Sequence, residues 1–346
     1  SLLASPAFGH HSDAALRMDS VVTLEGIVTE YSLRNPHAYF TVEVNGEVAG
    51  EGGAAVEWTV QMPSSITMVR LGWDRDTLAI GDQVTVGINP ARDGRNYGLI
   101  YSIGKADGPI DKADGSPLLA RPEQAPQIRS EARTTTIEGR WFLDRSRLPD
   151  GYPDETDELM GRYLELTDKG EAAAAVYNQA SEENPELSCI SKPTPALILY
   201  TDLFPMEIVI NEGNEGEETI TLRSQYFDSV RTIYMDGREH PPASEQFFEG
   251  HSVGRWEDDV LVIDTTNFAY HRSPYQTGVP SGSQKHVVEW YRLLGNGRHM
   301  NVKFLLEDPE YIDGSMSHNR DLIYSPERDM SSFDCDLEST RRFLPD

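Results

Sequence analysis

The sequence predicts an all-β protein built from two small closed barrels. The first is a five-stranded, OB-like barrel; the second is a larger antiparallel, lipocalin-like barrel with one peripheral helix. Three observations lead there. Apolar and polar residues alternate with period two over most of the apolar segments, as half-buried strands require. Tight-turn pairs such as Asp258-Asp259 and Asn296-Gly297 separate several of these segments. A chain of 346 residues is also too long for one ordinary domain and comfortable for two.

The first barrel is expected over residues 10–105. VVTLEGIVTEYSL (Val21 to Leu33) alternates as one strand, NPH (Asn35 to His37) turns, and AYFTVEV (Ala38 to Val44) returns. VEWTVQM (Val56 to Met62) is a third strand. The period then lengthens: Ile66, Val69 and Leu71, with Ser64 or Ser65 as cap, predict a short helix. Strands around Val84 to Ile88 and from Tyr97 onward follow. Three strands, a helix and two strands is the element order of an OB-type barrel. Residues 106–133, rich in Pro, Gly, Asp and Ala without a sustained period, are expected to be a linker.

Residues 134–346 form the second expected domain. TTTIEGRWFL opens it, and Glu165 to Ala180 is its one helix, Ala-rich and capped by Thr167 or Asp168. Hairpin-spaced strands follow from Pro205 to Asp308, arguing for an antiparallel meander that closes on itself. The residues from Tyr311 onward are polar and irregular.

Composition narrows the functions. The formal net charge of -27 disfavours sequence-independent binding to a nucleic acid, whose backbone has the same sign. No run of eighteen apolar residues is present, so no membrane-spanning helix is expected. Residues 1–9, SLLASPAFG, read as a signal-peptide remnant or an N-terminal arm, with Ala7 and Gly9 at the -3 and -1 positions of a cleavage site. Cleavage there leaves His10 first. The chain is accordingly expected to be periplasmic or secreted. Its two cysteines, Cys189 and Cys335, then pair as a disulfide tying the start of the second domain to its end.

Two sets of residues are candidates for chemistry. His10, His11 and His37 offer imidazoles, and a processed His10 adds an α-amine, suiting copper or zinc. The bland alternative is a polar lead-in and a turn residue. In the second domain His240, His251, Arg255 and Glu289 are candidate ligand-binding residues. His251 and Arg255 share one face of a strand and suit an anionic ligand or an acid–base pair. The alternative there is a buried network that fixes register. His286 and Glu289, three apart on a strand, face opposite ways. Trp141, Trp256, Trp290, Tyr226, Tyr234 and Tyr291 line a cavity or fill a core. Phosphate-loop, nucleophile-elbow, zincin and haem-attachment motifs are absent.

The HHS start, the NPHA turn and the segment GWDRDTLAIGDQV resemble the small exported bacterial domain family DUF6152 over about residues 10–105. The segments PMEIV, RTIYMDGREHP, GHSVGRWEDDVLVIDTTNF and EDPEY resemble a group of uncharacterised exported bacterial β-domains. Members of that group carry an HPHS-like element where this chain has GSQKH (Gly282 to His286), so a ligand role for that element is not carried over. Neither resemblance implies an activity. The expectation is an exported binding protein for a metal ion or small molecule. A barrel enzyme acting on a small apolar or aromatic substrate, or a structural, self-assembling subunit, are the alternatives.

Overall fold

In a computed structural model of the chain, residues 16–45, 53–105, 108–112, 115–121, 130–149, 156–179, 181–213, 218–275 and 278–342 are described. They divide into two units, residues 1–126 with 333–346, and residues 127–332.

In the first unit, β1 (Val22–Ser32), β2 (Tyr39–Val44) and β3 (Val56–Gln61) form a meander, α1 (Ser65–Arg70) follows, and β4 (Gln83–Pro90) and β5 (Tyr97–Lys105) complete the set. The order β3-β2-β1-β4-β5 closes through a parallel β3–β5 pairing, giving the expected five-stranded barrel. Ser64 caps α1, its hydroxyl accepting from the Thr67 amide. Val28, Phe40, Val42, Val60, Val86, Ile88 and Ile100 fill the interior.

Two boundaries differ from expectation. Residues 108–112 and 115–121, within the stretch 106–133 expected to be a linker, hold to this barrel. The short strand β6 (Gly108–Pro109) pairs with β5, the Trp73 indole donates to the Leu119 carbonyl at 2.7 Å, and the Arg121 guanidinium donates to the Ile100 carbonyl at 2.8 Å. These contacts join isolated polar and apolar residues, so no period announced them. The end of the chain also belongs here, not to the second unit. The Asp336 amide donates to the Asn35 carbonyl at 2.8 Å, and the Ser339 hydroxyl donates to the His37 carbonyl at 2.5 Å. Both cysteines are disulfide-bonded, which in a chain with two makes a single bridge. Cys335 therefore lies in the segment that joins the first unit rather than at the end of the second.

The second unit opens with β7 (Gly139–Leu143), then α2 (Thr156–Tyr163), α3 (Asp168–Ala175) and α4 (Ala196–Leu199). The expected helix is α3, capped by Thr167, but it has companions. Strands β8 (Met206–Asn211), β9 (Thr219–Ser224), β10 (Val230–Tyr234), β11 (His251–Glu257), β12 (Val260–Thr266), β13 (His286–Leu293), β14 (His299–Glu307) and β15 (Met316–Tyr324) follow. They close with β7 into a nine-stranded barrel. Every pairing is antiparallel except β10–β11, where residues between Tyr234 and His251 carry the chain back to run parallel. The last helix, α5 (Leu337–Arg341), lies in the tail of the first unit. Among the described residues no helix is long and apolar enough to cross a membrane.

Register fixes which side chains face inward. One row across the wall is Ser252, Thr265, Val287, Leu306, Met316; the next is Gly254, Ile263, Glu289, Phe304, His318; the third ends on Tyr291, Val302, Arg320. Almost all of these are fully buried. The interior is thus a packed apolar core interrupted by charged groups.

Candidate ligand site inside the C-terminal barrel

The inward parity of β13 and β14 continues past the strand ends onto Lys285 and Asp308, both buried. Antiparallel pairing puts these two ends at the same rim. Deeper in, Arg231 on β10 is an ion-pair partner of Glu289, and each side chain is 1% exposed. Tyr291 OH donates to Glu289 Oε1 at 3.0 Å. Arg231 Nη1 donates to Thr194 Oγ1 at 2.6 Å, and the Thr194 amide and hydroxyl donate to Glu249 Oε2 at 2.9 and 3.1 Å. Glu249 is half-buried along its stem, yet its carboxylate tip is shielded from solvent.

At the rim, Asp308 Oδ2 accepts from the Gly282 amide at 2.8 Å and from Tyr275 OH at 3.2 Å. The Lys285 ammonium lies 4.3 Å from the Phe268 ring centre and 5.3 Å from that of Tyr275, within cation–π range. Burial depresses the Lys285 amine to about 7, although the charges of Asp308 and Glu249 pull it upward. Burial raises Glu249 and Asp308 above the ordinary carboxylate range, against the Thr194 amide in one case and the Gly282 amide in the other. Burial and the Asp308 charge push the Tyr275 hydroxyl well up.

Five buried polar atoms in this region have no hydrogen-bond partner in the protein: Arg231 Nε, Glu249 Oε1, Ser281 Oγ, Lys285 Nζ and Asp308 Oδ1. A buried polar atom left unsatisfied costs about 1–3 kcal/mol, and native structures rarely leave several together. Barrel mouths are common places for ligands, typically with a few convergent polar groups in an apolar lining.

The expected ligand residues divide between two surfaces. Glu289 lies inside the barrel. His251 and Arg255 share a face, as their spacing predicts, but it is the outer one. Ser252 and Gly254 are buried between them, while Arg255 is exposed and pairs with Glu257 at 2.5 Å. The structure does not bring His251 and Arg255 together. His240 instead meets His251 on the outer wall. His286 and Glu289 face opposite ways, His286 outward to Asp264 and Glu307. Of the aromatic residues, Trp141 and Tyr291 fill the interior and Tyr226 is buried, whereas Trp256 is exposed and Trp290 and Tyr234 are half-buried.

His37 is in the first unit, where Gln61 Nε2 lies 3.1 Å from its Nδ1, and Tyr97 OH bonds to Gln61 Oε1. With Gln61 donating, the imidazole hydrogen sits on Nε2. Metal binding at Nε2 therefore requires the Gln61 amide to turn over. His10 and His11 lie outside the described residues.

Sequence reasoning missed Arg231, Glu249, Lys285 and Asp308. Arg231 opens RTIYMDGREHP, Lys285 stands in GSQKH and Asp308 in EDPEY, so three of the four were inside segments already noticed. Lys285 and Glu249 lie outside the strands, where period gives no facing.

No curated protein matches the chain, nor does any solved structure. Residues 1–101, which include the N-terminal barrel, match the model of DUF6152, a family of unknown function.

Proposed function

We propose that the protein is a binding protein whose C-terminal barrel takes a small, neutral, polyhydroxylated molecule at its rim. The observation that carries this reading is the set of five buried, partnerless polar atoms on Arg231, Glu249, Ser281, Lys285 and Asp308. They include nitrogen donors and carboxyl acceptors, and Lys285 lies within electrostatic reach of Asp308, Glu249 and Arg231. Hydroxyl groups both donate and accept, so a polyol satisfies both kinds at once. An anion would meet Glu249, Glu289 and Asp308, and a cation would meet Arg231 and Lys285. The buried rings of Phe268 and Tyr275 flank the Lys285 ammonium and give the cluster an apolar lining. A disulfide suits an oxidising compartment, which supports an exported protein that meets its ligand outside the cytoplasm.

Thermal unfolding of the full chain against monosaccharides, linear polyols, amino acids and hydroxy acids tests this. A sugar or polyol is expected to raise the unfolding temperature of the wild type by several degrees at about a hundred times its dissociation constant. Lys285→Met is expected to abolish the shift. A panel in which no polyhydroxylated compound shifts the transition, or in which Lys285→Met shifts as the wild type does, contradicts the reading.

A further inference from the structure

The outer wall of the same barrel carries a second constellation, unused by the interior site. His251 stands at the start of β11, and His240 lies in the connection that precedes it. Their Nδ1 atoms are 3.0 Å apart, with the rings near perpendicular at 78°. Behind them, His240 Nε2 is 3.0 Å from Asp264 Oδ1. Asp264 Oδ2 is 3.1 Å from His286 Nε2, and His286 Nδ1 is 3.3 Å from Glu307 Oε2.

Hydrogen accounting along this chain fixes what the two Nδ1 atoms offer. Asp264, a carboxylate set between the His240 and His286 rings, is the acceptor. His240 must then donate from Nε2, which leaves its lone pair on Nδ1. His251 faces that lone pair across the 3.0 Å contact. It donates from Nδ1 to His240, and presents its own Nδ1 lone pair once the hydrogen moves to Nε2.

We propose that His240 and His251 bind one divalent copper or zinc ion through their Nδ1 atoms, with Asp264 orienting His240 from behind. Two imidazole nitrogens at about 2.0–2.1 Å from one ion are roughly 3.3 Å apart in a tetrahedron and roughly 2.8 Å apart as neighbours in a square plane. The observed 3.0 Å falls between; because that contact is an N–H···N hydrogen bond, both rings must rotate to turn their Nδ1 lone pairs from each other onto one ion. A carboxylate on the far nitrogen is the usual partner of a metal-ligating histidine. Among the described residues no group of three or more His, Cys, Asp and Glu converges on one ion. Water or a small anion therefore completes the coordination, and the His240 side chain is 25% exposed to receive it. Tyr234 stacks on His251 at 5.1 Å, and the Arg238 cation above Tyr234 is paired with Asp236, which limits its repulsion of a metal.

Calorimetric titration of the chelator-stripped full chain with zinc and then copper at neutral pH tests the site. The account expects one binding event lost in both His240→Gln and His251→Gln, and weakened roughly 10–100-fold in Asp264→Asn. The same event is expected to persist in a His10→Ala, His11→Ala, His37→Ala triple variant and in Lys285→Met. Circular dichroism verifies that each variant is folded, and histidine ring NMR signals of the wild type read the loss independently, through broadening or shift of His240 and His251 on metal addition. Binding that survives both glutamine variants, or that disappears only with the N-terminal histidines, overturns the proposal. So do histidine ring signals for His240 and His251 that do not respond to metal.

Discussion

Glu289→Ala is expected to destabilise the C-terminal barrel by about 3–5 kcal/mol, because it strands the Arg231 guanidinium inside the wall. Both side chains are almost wholly excluded from water, and the remaining guanidinium partner in the cluster is the neutral Thr194 hydroxyl. Urea unfolding followed by hydrogen exchange of the β8 to β15 amides measures the effect on this unit alone. The double variant Arg231→Met, Glu289→Leu removes both charges and is expected to recover most of the loss, since replacing a buried pair by apolar groups is often neutral or stabilising. A single variant within about 0.5 kcal/mol of wild type, the range of ordinary surface substitutions, would show that the pair is open to solvent.

Lys285→Met should act the other way, raising stability at mildly alkaline pH by about 1–4 kcal/mol while removing the ligand response. The amine falls from 10.5 in the unfolded chain to about 7 in the barrel. A depressed value means that the unfolded chain binds the extra proton first. Stability from this group is therefore complete above pH 10.5 and is lost as pH falls toward about 7. Wild-type stability should climb between those limits by up to about 1.4 kcal/mol per pH unit, relative to the variant. Glu249 and Asp308 work in the opposite sense. Their raised values give stability that is present below the ordinary carboxylate range and fades as pH rises. Subtracting the variant's curve from that of the wild type reads Lys285 together with its coupling to those acids. Parallel curves from pH 7 to 10.5 would mean that Lys285 is solvated and charged.

Strand order in the first barrel was legible because each segment from Val22 to Lys105 alternates cleanly and Ser64 marks the change to a helix. The second barrel was legible as a run of hairpins, but its closing strand β15, inside the stretch from Tyr311 onward expected to be irregular, was not, nor was the parallel β10–β11 contact. That contact depends on where residues 235–250 travel, and they carry no period. Parity told which residues share a face without telling which face is inside. On β11 the rule misleads, since Ser252 and Gly254 turn inward while Val253 turns toward solvent. Position 254 has no room for a side chain, since an added Cβ would lie 2.5 Å from the Met235 sulfur, a contact invisible in the sequence. The buried charges were hidden for a related reason. Arg231 and Glu289 break an apolar row instead of making a pattern, and Lys285 and Asp308 extend the rows just beyond the strand ends. The meeting of His240 with His251 likewise comes from a return of the chain, not from spacing.

A crystal structure of the full chain soaked with the polyol that gives the largest thermal shift shows whether the barrel rim holds it. A molecule is expected at the barrel rim with hydroxyls within about 2.7–3.2 Å of Lys285 Nζ, Asp308 Oδ1 and Glu249 Oε1. Lys285 bonded directly to Asp308 or Glu249 with no molecule between them, or the polyol seated elsewhere on the chain, would contradict it.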